Sequence, residues 1–205
     1  DVRMAVQALS FSYPQVLALT DVSFEVHSGE ILGIMGRNGS GKSTLLRCLM
    51  GLLRPSAGDL RLDGVPGLDR SVAERARRMA YLPQWPEAML FAETVLEELR
   101  LTLRNHGLAD AGDRRARELL ARLGLEAAAD RYPRDLSAGE RQRAALAAVA
   151  VCRPGILLLD EPTLGMDPPG QEHLARLLRE WTGEGMAVLL ASHDVEFVAS
   201  VADYD

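Results

Sequence analysis

Short apolar runs separated by polar and glycine-rich turns divide the chain into alternating extended and helical stretches. Phe24 to Val26 alternates with polar neighbours, Gly29-Glu30 makes a turn, and Ile31 to Met35 reads as a short buried strand. A helix is expected at about Ser43 to Gly51, and extended segments at Gly58 to Asp63 and Met79 to Pro83. Val95, Leu96, Leu99, Leu101 and Leu103 are compatible with a helix over Thr94 to Arg104, and Arg114 to Leu123 and the alanine-rich Ser137 to Val151 are also helical. Ile156 to Leu159 is a fully apolar strand, Gln171 to Trp181 a helix, and Ala187 to Ala191 a further apolar strand. Strands apolar on both faces, separated by helices, predict an α/β fold with a mostly parallel sheet covered on both sides. The stretch 85–152 contains no strand candidate and reads as a helical subdomain inserted into that core.

With 205 residues the chain is expected to form one domain, and 47% hydrophobic with 25% charged residues excludes disordered or collagen-like classes. Acidic residues outnumber basic ones, 29 to 23, so a global positive field for holding nucleic acid is absent and no nucleic-acid partner is expected. Cys48 and Cys152 stand far apart without a metal-ligand or disulfide pattern and read as apolar thiols. No apolar run approaches the ~18 residues of a membrane span, and no signal-peptide pattern is visible, which suggests a cytosolic protein. Among the basic residues only Lys42 is a lysine, so its chemistry is not generic surface solvation.

Lys42 lies in Gly36-Arg37-Asn38-Gly39-Ser40-Gly41-Lys42-Ser43-Thr44, which matches G-x-x-x-x-G-K-[ST] between a buried strand and a helix. Glycines let several backbone N–H groups converge on one anion, and the helix N-terminus adds partial positive charge. Lys42 then reaches the β- and γ-phosphates of a nucleotide, and the Ser43 hydroxyl is placed to bind magnesium. A metal held there needs a carboxylate at the end of a neighbouring strand, which Asp160 supplies after Ile156 to Leu159. Glu161, pointing to the other side if the strand geometry persists, is then free to orient or deprotonate a water. Ser137 and Glu140 form a capping box at a second helix start. Gly139 has no place in such a cap unless the backbone must come close to something, and an anion at that helix start would explain it.

These residues together resemble the ATP-binding subunits of ABC transporters. Leu136-Ser137-Ala138-Gly139-Glu140-Arg141-Gln142-Arg143 is similar to the family signature L-S-G-G-[QE] followed by R-Q-R, and it lies between the phosphate loop and Asp160-Glu161 in the family order. The resemblance implies a P-loop ATPase core with an N-terminal antiparallel β portion, and ATP and Mg²⁺ as ligands. It assigns Tyr13 to adenine stacking, Gln84 to a loop that senses the metal and touches a membrane partner, Asp167 to dimer contact and His193 to the γ-phosphate. Ser137, Gly139 and Glu140 would close on ATP in a second ATPase subunit, in a homodimer or heterodimer at the cytoplasmic face of the membrane.

Ala138 replaces the first signature glycine, adding a methyl near the expected phosphate. The chain ends soon after His193, where the family normally adds further strands and helix, so it reads as C-terminally incomplete. Gln84 to Val95 resembles the Q-x-P-x-x-x-L-F-x-x-T-V stretch of energy-coupling factor importers of vitamins, cobalt or nickel. There Trp85 and Leu90-Phe91 would flank a groove for a helix of a membrane subunit; the opposing expectation is that Leu90 and Phe91 are core. The function implied is ATP hydrolysis that drives import of a small solute through transmembrane subunits. A soluble ABC-type ATPase acting on ribosomes is the alternative.

Overall fold

The computed structural model describes residues 1–109 and 112–203. They form two compact units, one of Asp1–Tyr81, Pro154–Glu161 and the chain from Leu178 on, the other of Leu82–Arg153 and Pro162–Leu177.

The first unit opens with a hairpin of two long strands, β1 (Val2–Tyr13) and β2 (Val16–His27), of which the alternation marked only Phe24 to Val26. Two facing irregularities explain this. Ala8 and Asp21 both adopt left-handed backbone, and the pairing register shifts between Val6 and Leu9. The buried positions therefore change phase, from Met4 and Val6 to Leu9 in β1 and from Leu19 to Val26 in β2. Ser10 and Ser23 hydroxyls accept the N–H groups of Asp21 and Ala8 that the bulges remove from the ladder. β4 (Ala57–Leu62) pairs antiparallel with β1 and carries the two-residue β5 (Val65–Pro66) at its far edge. Gly58 packs against the bulge: a Cβ there would stand 2.5 Å from the Leu9 Cα.

A second sheet has the order β3-β8-β7-β6, formed by Ile31–Met35, Ala187–Ser192, Ile156–Asp160 and Met79–Leu82. β3, β8 and β7 are parallel, and every residue of β7 and β8 is buried. Ile156, Leu158, Ala187, Leu189 and Ala191 share a core with Leu45, Leu46 and Leu49 of helix α1 (Lys42–Met50) and with Met4, Leu60 and Leu62 of the antiparallel sheet. Met35 pairs with Ser192 and Asp160 with Ala191, so Gly36, Glu161 and His193 all follow directly on the carboxyl ends of their strands. α2 (Val72–Ala76), which the hydrophobic pattern does not reveal, starts with a Ser71–Glu74 capping box. Its Arg75 is buried and donates to the carbonyls of Cys48, Leu49, Leu68 and Arg70, thereby capping the C-terminal end of α1.

In the second unit α3 (Val95–Asn105), α4 (Gly112–Arg122) and α5 (Ala138–Ala150) pack on one another. Leu96, Leu99, Leu103, Leu120 and Leu146 are buried among them, and the Thr94 hydroxyl caps α3. The first turns of α6 (Pro168–Gly183) belong to this unit, while α7 (Val195–Val201) belongs to the first and packs on β3 and β8.

Candidate nucleotide site

In the first unit Gly36 to Thr44 forms a loop over the start of α1. Gly41 takes φ 95° immediately before the helix, and a Cβ there would meet the Ala18 carbonyl oxygen at 2.6 Å, so both the turn and the packing on β2 demand glycine. Ser40 N–H donates to the Arg37 carbonyl and closes the turn through Asn38 and Gly39. Lys42 is buried, and its Nζ donates to the Gly36 carbonyl at 2.6 Å and lies 3.8 Å from Oε1 of Glu161.

The Ser43 hydroxyl donates to Oδ1 of Asp160 at 3.0 Å. Its neighbour Thr44 shares a hydrogen bond with the hydroxyl of Tyr13, whose ring stands edge-on to Phe11 at 4.9 Å. Tyr13 is thus brought to the loop from the tip of the hairpin, with part of its ring open.

Glu161 departs from the strand-like geometry expected of it. β7 ends at Asp160, and Glu161 turns into left-handed backbone at φ 50° while its N–H still bonds to the Ala191 carbonyl. The side chain is therefore directed toward the end of β8. Its Oε2 accepts the Ser192 hydroxyl at 2.9 Å and the His193 N–H at 3.2 Å, and lies 2.8 Å from His193 Nδ1. The Asp194 side chain caps α7 and fixes the turn that carries His193.

Two residues without any sequence-level signal complete the site. Tyr81 in β6 donates its hydroxyl to Oδ2 of Asp160 at 3.2 Å, and the guanidinium of Arg47 in α1 lies against the same phenol. Recognising them requires knowing that β6 follows β7 in the sheet. Burial pushes the Asp160 carboxyl above the usual carboxylate range; the Ser43 and Tyr81 hydrogen bonds oppose this, and the charge of Glu161 adds to it. Burial, and then the negative Asp160, push the Tyr81 phenol up to about 12, so it keeps its proton as a donor. A serine hydroxyl beside a carboxylate is an all-oxygen donor pair, suited to a small hard cation that keeps water and phosphate oxygens as its other ligands.

The remaining candidates lie in the second unit. Gln84 is half-buried in the loop after β6. Ser137 and Glu140 form the expected capping box: Ser137 Oγ accepts the Glu140 N–H at 3.2 Å and Glu140 Oε2 accepts the Ser137 N–H at 2.8 Å. The second oxygen of Glu140 faces Arg131. Gly139 has a packing reason besides any anion, since a Cβ there would lie 3.2 Å from the Gly165 carbonyl oxygen. Gly165 in turn faces the Ala138 methyl, which joins the signature turn to the loop that leads to Asp167. Asp167 accepts the Gly170 N–H at the start of α6.

Leu90 and Phe91 do not act as a pair. Leu90 is 8% exposed whereas Phe91 is 76% and Trp85 66% exposed, so only the two aromatics are surface groups. The reason is Glu98 of α3, buried itself, whose Oε2 accepts the N–H groups of both Phe91 and Ala92 at 2.7 Å and turns the chain outward after Leu90.

The profile of the family described as ABC transporter matches residues 19–164. The chain belongs to the ABC transporter family, as one of its ATP-binding ATPase domains. Among ABC transporter relatives, the cobalt import ATP-binding protein of Rhodobacter capsulatus is 42% identical over 204 residues, covering 98% of this chain and 73% of the relative. The energy-coupling factor transporter ATP-binding protein of Symbiobacterium thermophilum is 43% identical over 190 residues, covering 91% and 66%. A solved structure of cbiO1 from Clostridium perfringens, described as part of the ABC transporter complex cbiONQ, superimposes with a TM-score of 0.87 at 33% identity, covering 99% of this chain and 83% of that one. The chain spans 34% of the length of another ABC transporter relative, from Streptomyces coelicolor. Among the described residues no helix is long and apolar enough to cross a membrane.

Proposed function

We propose that this ATPase domain binds and hydrolyses Mg²⁺-ATP to drive movement of a small solute, a vitamin or metal ion, through partner transmembrane subunits at the cytoplasmic face of a membrane. The observation that carries this reading is the convergence of Lys42, Ser43, Asp160, Glu161 and His193 at the carboxyl ends of β3, β7 and β8. Tyr13 stacks on adenine, and the N–H groups of the loop from Gly36 to Thr44 cradle the phosphates. Lys42 exchanges its bond to the Gly36 carbonyl for the β- and γ-phosphates. Ser43 and Asp160 hold magnesium, which supplies neutralisation of phosphate charge. Glu161, once released by His193, accepts the proton of the attacking water, and His193 turns to the γ-phosphate.

Gln84 reports the state of the site to a membrane subunit. Ser137, Gly139 and Glu140 cap ATP held by a second ATPase subunit, and Asp167 lies at that dimer contact. The chain is read as one such ATPase domain with a helical subdomain over about 85–152. The choice of a vitamin or metal ion rests on the printed names of the relatives in cobalt import and energy-coupling factor transport. The test is to purify the full-length protein from its own membranes, identify co-purifying subunits by mass spectrometry, and assay phosphate release. Purification without membrane subunits, from a preparation that hydrolyses ATP, would overturn the transport reading.

A further inference from the structure

Asp160 is 1% exposed, and each of its carboxylate oxygens has a different hydroxyl: Ser43 on Oδ1 at 3.0 Å and Tyr81 on Oδ2 at 3.2 Å. A carboxylate held on one oxygen alone can swing about its last side-chain bond, a broad and shallow torsion. Held on both, its plane is fixed. Tyr81 has a single O–H proton, and the guanidinium against its oxygen, Arg47, has only donors to offer. The proton must therefore face Asp160, and Arg47 takes the phenol lone pair.

We infer that Tyr81 is a positioning residue for the metal-binding carboxylate, holding Oδ2 of Asp160 so that Oδ1 is presented beside the Ser43 hydroxyl. The inference rests on the reading of Ser43 and Asp160 as the Mg²⁺ ligands of a nucleotide site. Without the phenol, Oδ2 is left buried and unpartnered and the carboxylate rotates to find another donor, so that its lone pairs are no longer aimed where the cation is shared with phosphate. The Arg47 charge lies against the phenol and also acts on Asp160 itself. A space-filling role for the Tyr81 ring predicts none of this, because phenylalanine fills the same space.

The experiment compares full-length wild type with Tyr81→Phe, using a fluorescent ATP analogue titrated with Mg²⁺, and separately in EDTA. The expected result is that half-saturating Mg²⁺ rises about tenfold, while metal-free nucleotide affinity stays at the wild-type value and the melting midpoint without nucleotide falls modestly through the loss of one buried hydrogen bond. An unchanged half-saturating Mg²⁺ overturns the inference. Should the phenylalanine variant fail to fold, Tyr81→Met, which likewise has no donor for Oδ2, serves instead, with the same expected rise of about tenfold, and no rise overturns the inference. Wild type that binds no nucleotide overturns the nucleotide site itself, and wild type whose nucleotide binding ignores Mg²⁺ overturns the metal assignment. Both results are read before either variant is compared, so they remain distinct from a failure of Tyr81 alone.

Discussion

Nδ1 of His193 lies 2.8 Å from Oε2 of Glu161, an oxygen that also accepts the Ser192 hydroxyl and the His193 N–H. The donors crowd Oε2, whereas Oε1 has only Lys42 Nζ at 3.8 Å, too far for a hydrogen bond, and keeps lone pairs that can accept a proton from water. Glu161→Gln keeps the size of the side chain and removes its basicity. Phosphate release is expected to fall about 10²–10⁴-fold with nucleotide binding retained; near-normal turnover would show that Glu161 is not the base.

Lys42→Ala removes the only lysine of the chain from the loop. Its carbonyl partners Gly36 and Arg37 lie in a loop open to water, but buried Glu161 loses the ammonium 3.8 Å away, so the melting midpoint is expected to fall while the fold survives. Nucleotide binding should be lost, since arginine neighbours cannot supply a compact ammonium at the same point. Equilibrium dialysis with labelled ATP checks this, and wild-type affinity in the variant would remove the loop from the site.

The local chemistry of the loop was legible because G-x-x-x-x-G-K-[ST] is contiguous and its strand and helix flank it directly. Asp160 and Glu161 were legible because β7 is uniformly apolar up to the carboxylate. The hairpin was not, since the bulges at Ala8 and Asp21 reverse the alternation within each strand and the period-two signal cancels over its length. Tyr81 was invisible for a different reason: its contact to Asp160 spans 79 positions and depends on strand order, which no local pattern encodes. α2 has only five residues, too few to show a helical period.

Gly165 adopts φ +75°, and a Cβ there would stand 3.2 Å from the Ala138 methyl. Gly165→Ala is expected to cost about 1–2 kcal/mol from the backbone alone, plus the clash. Ala138→Gly removes the clash but not the backbone cost, so the double variant should be less destabilised than the sum of the two single changes. Urea unfolding of all four proteins measures the coupling. Strict additivity would show that the turn accommodates the methyl without contact.

Burial pushes the Cys48 thiol up to about 11, against the opposing charge of Arg75. The sign follows directly: a thiol with its folded pKa raised holds its proton while the unfolded chain releases it, so stability falls as pH rises from about 9 toward 11. Alkylation by iodoacetamide at pH 9 should accordingly be slow at fully buried Cys48 and faster at half-buried Cys152. Peptide mapping after timed quenching separates the two; equal rates would contradict the burial of Cys48.

The exposure of Phe91 beside buried Leu90 divides one expectation into two measurements. Leu90→Ser places a hydroxyl in an apolar site and is expected to cost about 2–5 kcal/mol, visible as a lowered melting midpoint. Phe91→Ser removes a ring already in water and should leave the midpoint unchanged. If Trp85 and Phe91 are the apolar anchors for a membrane subunit, Phe91→Ser loses that association and uncouples hydrolysis from transport while isolated ATP binding persists. Glu98→Gln tests the support of the same loop, because Oε2 now accepts both N–H groups with carboxylate charge and an amide oxygen would accept them without it. It should weaken subunit association less than Phe91→Ser does. A Phe91→Ser protein that still co-purifies with its membrane subunits at wild-type yield would place the docking surface elsewhere on the domain.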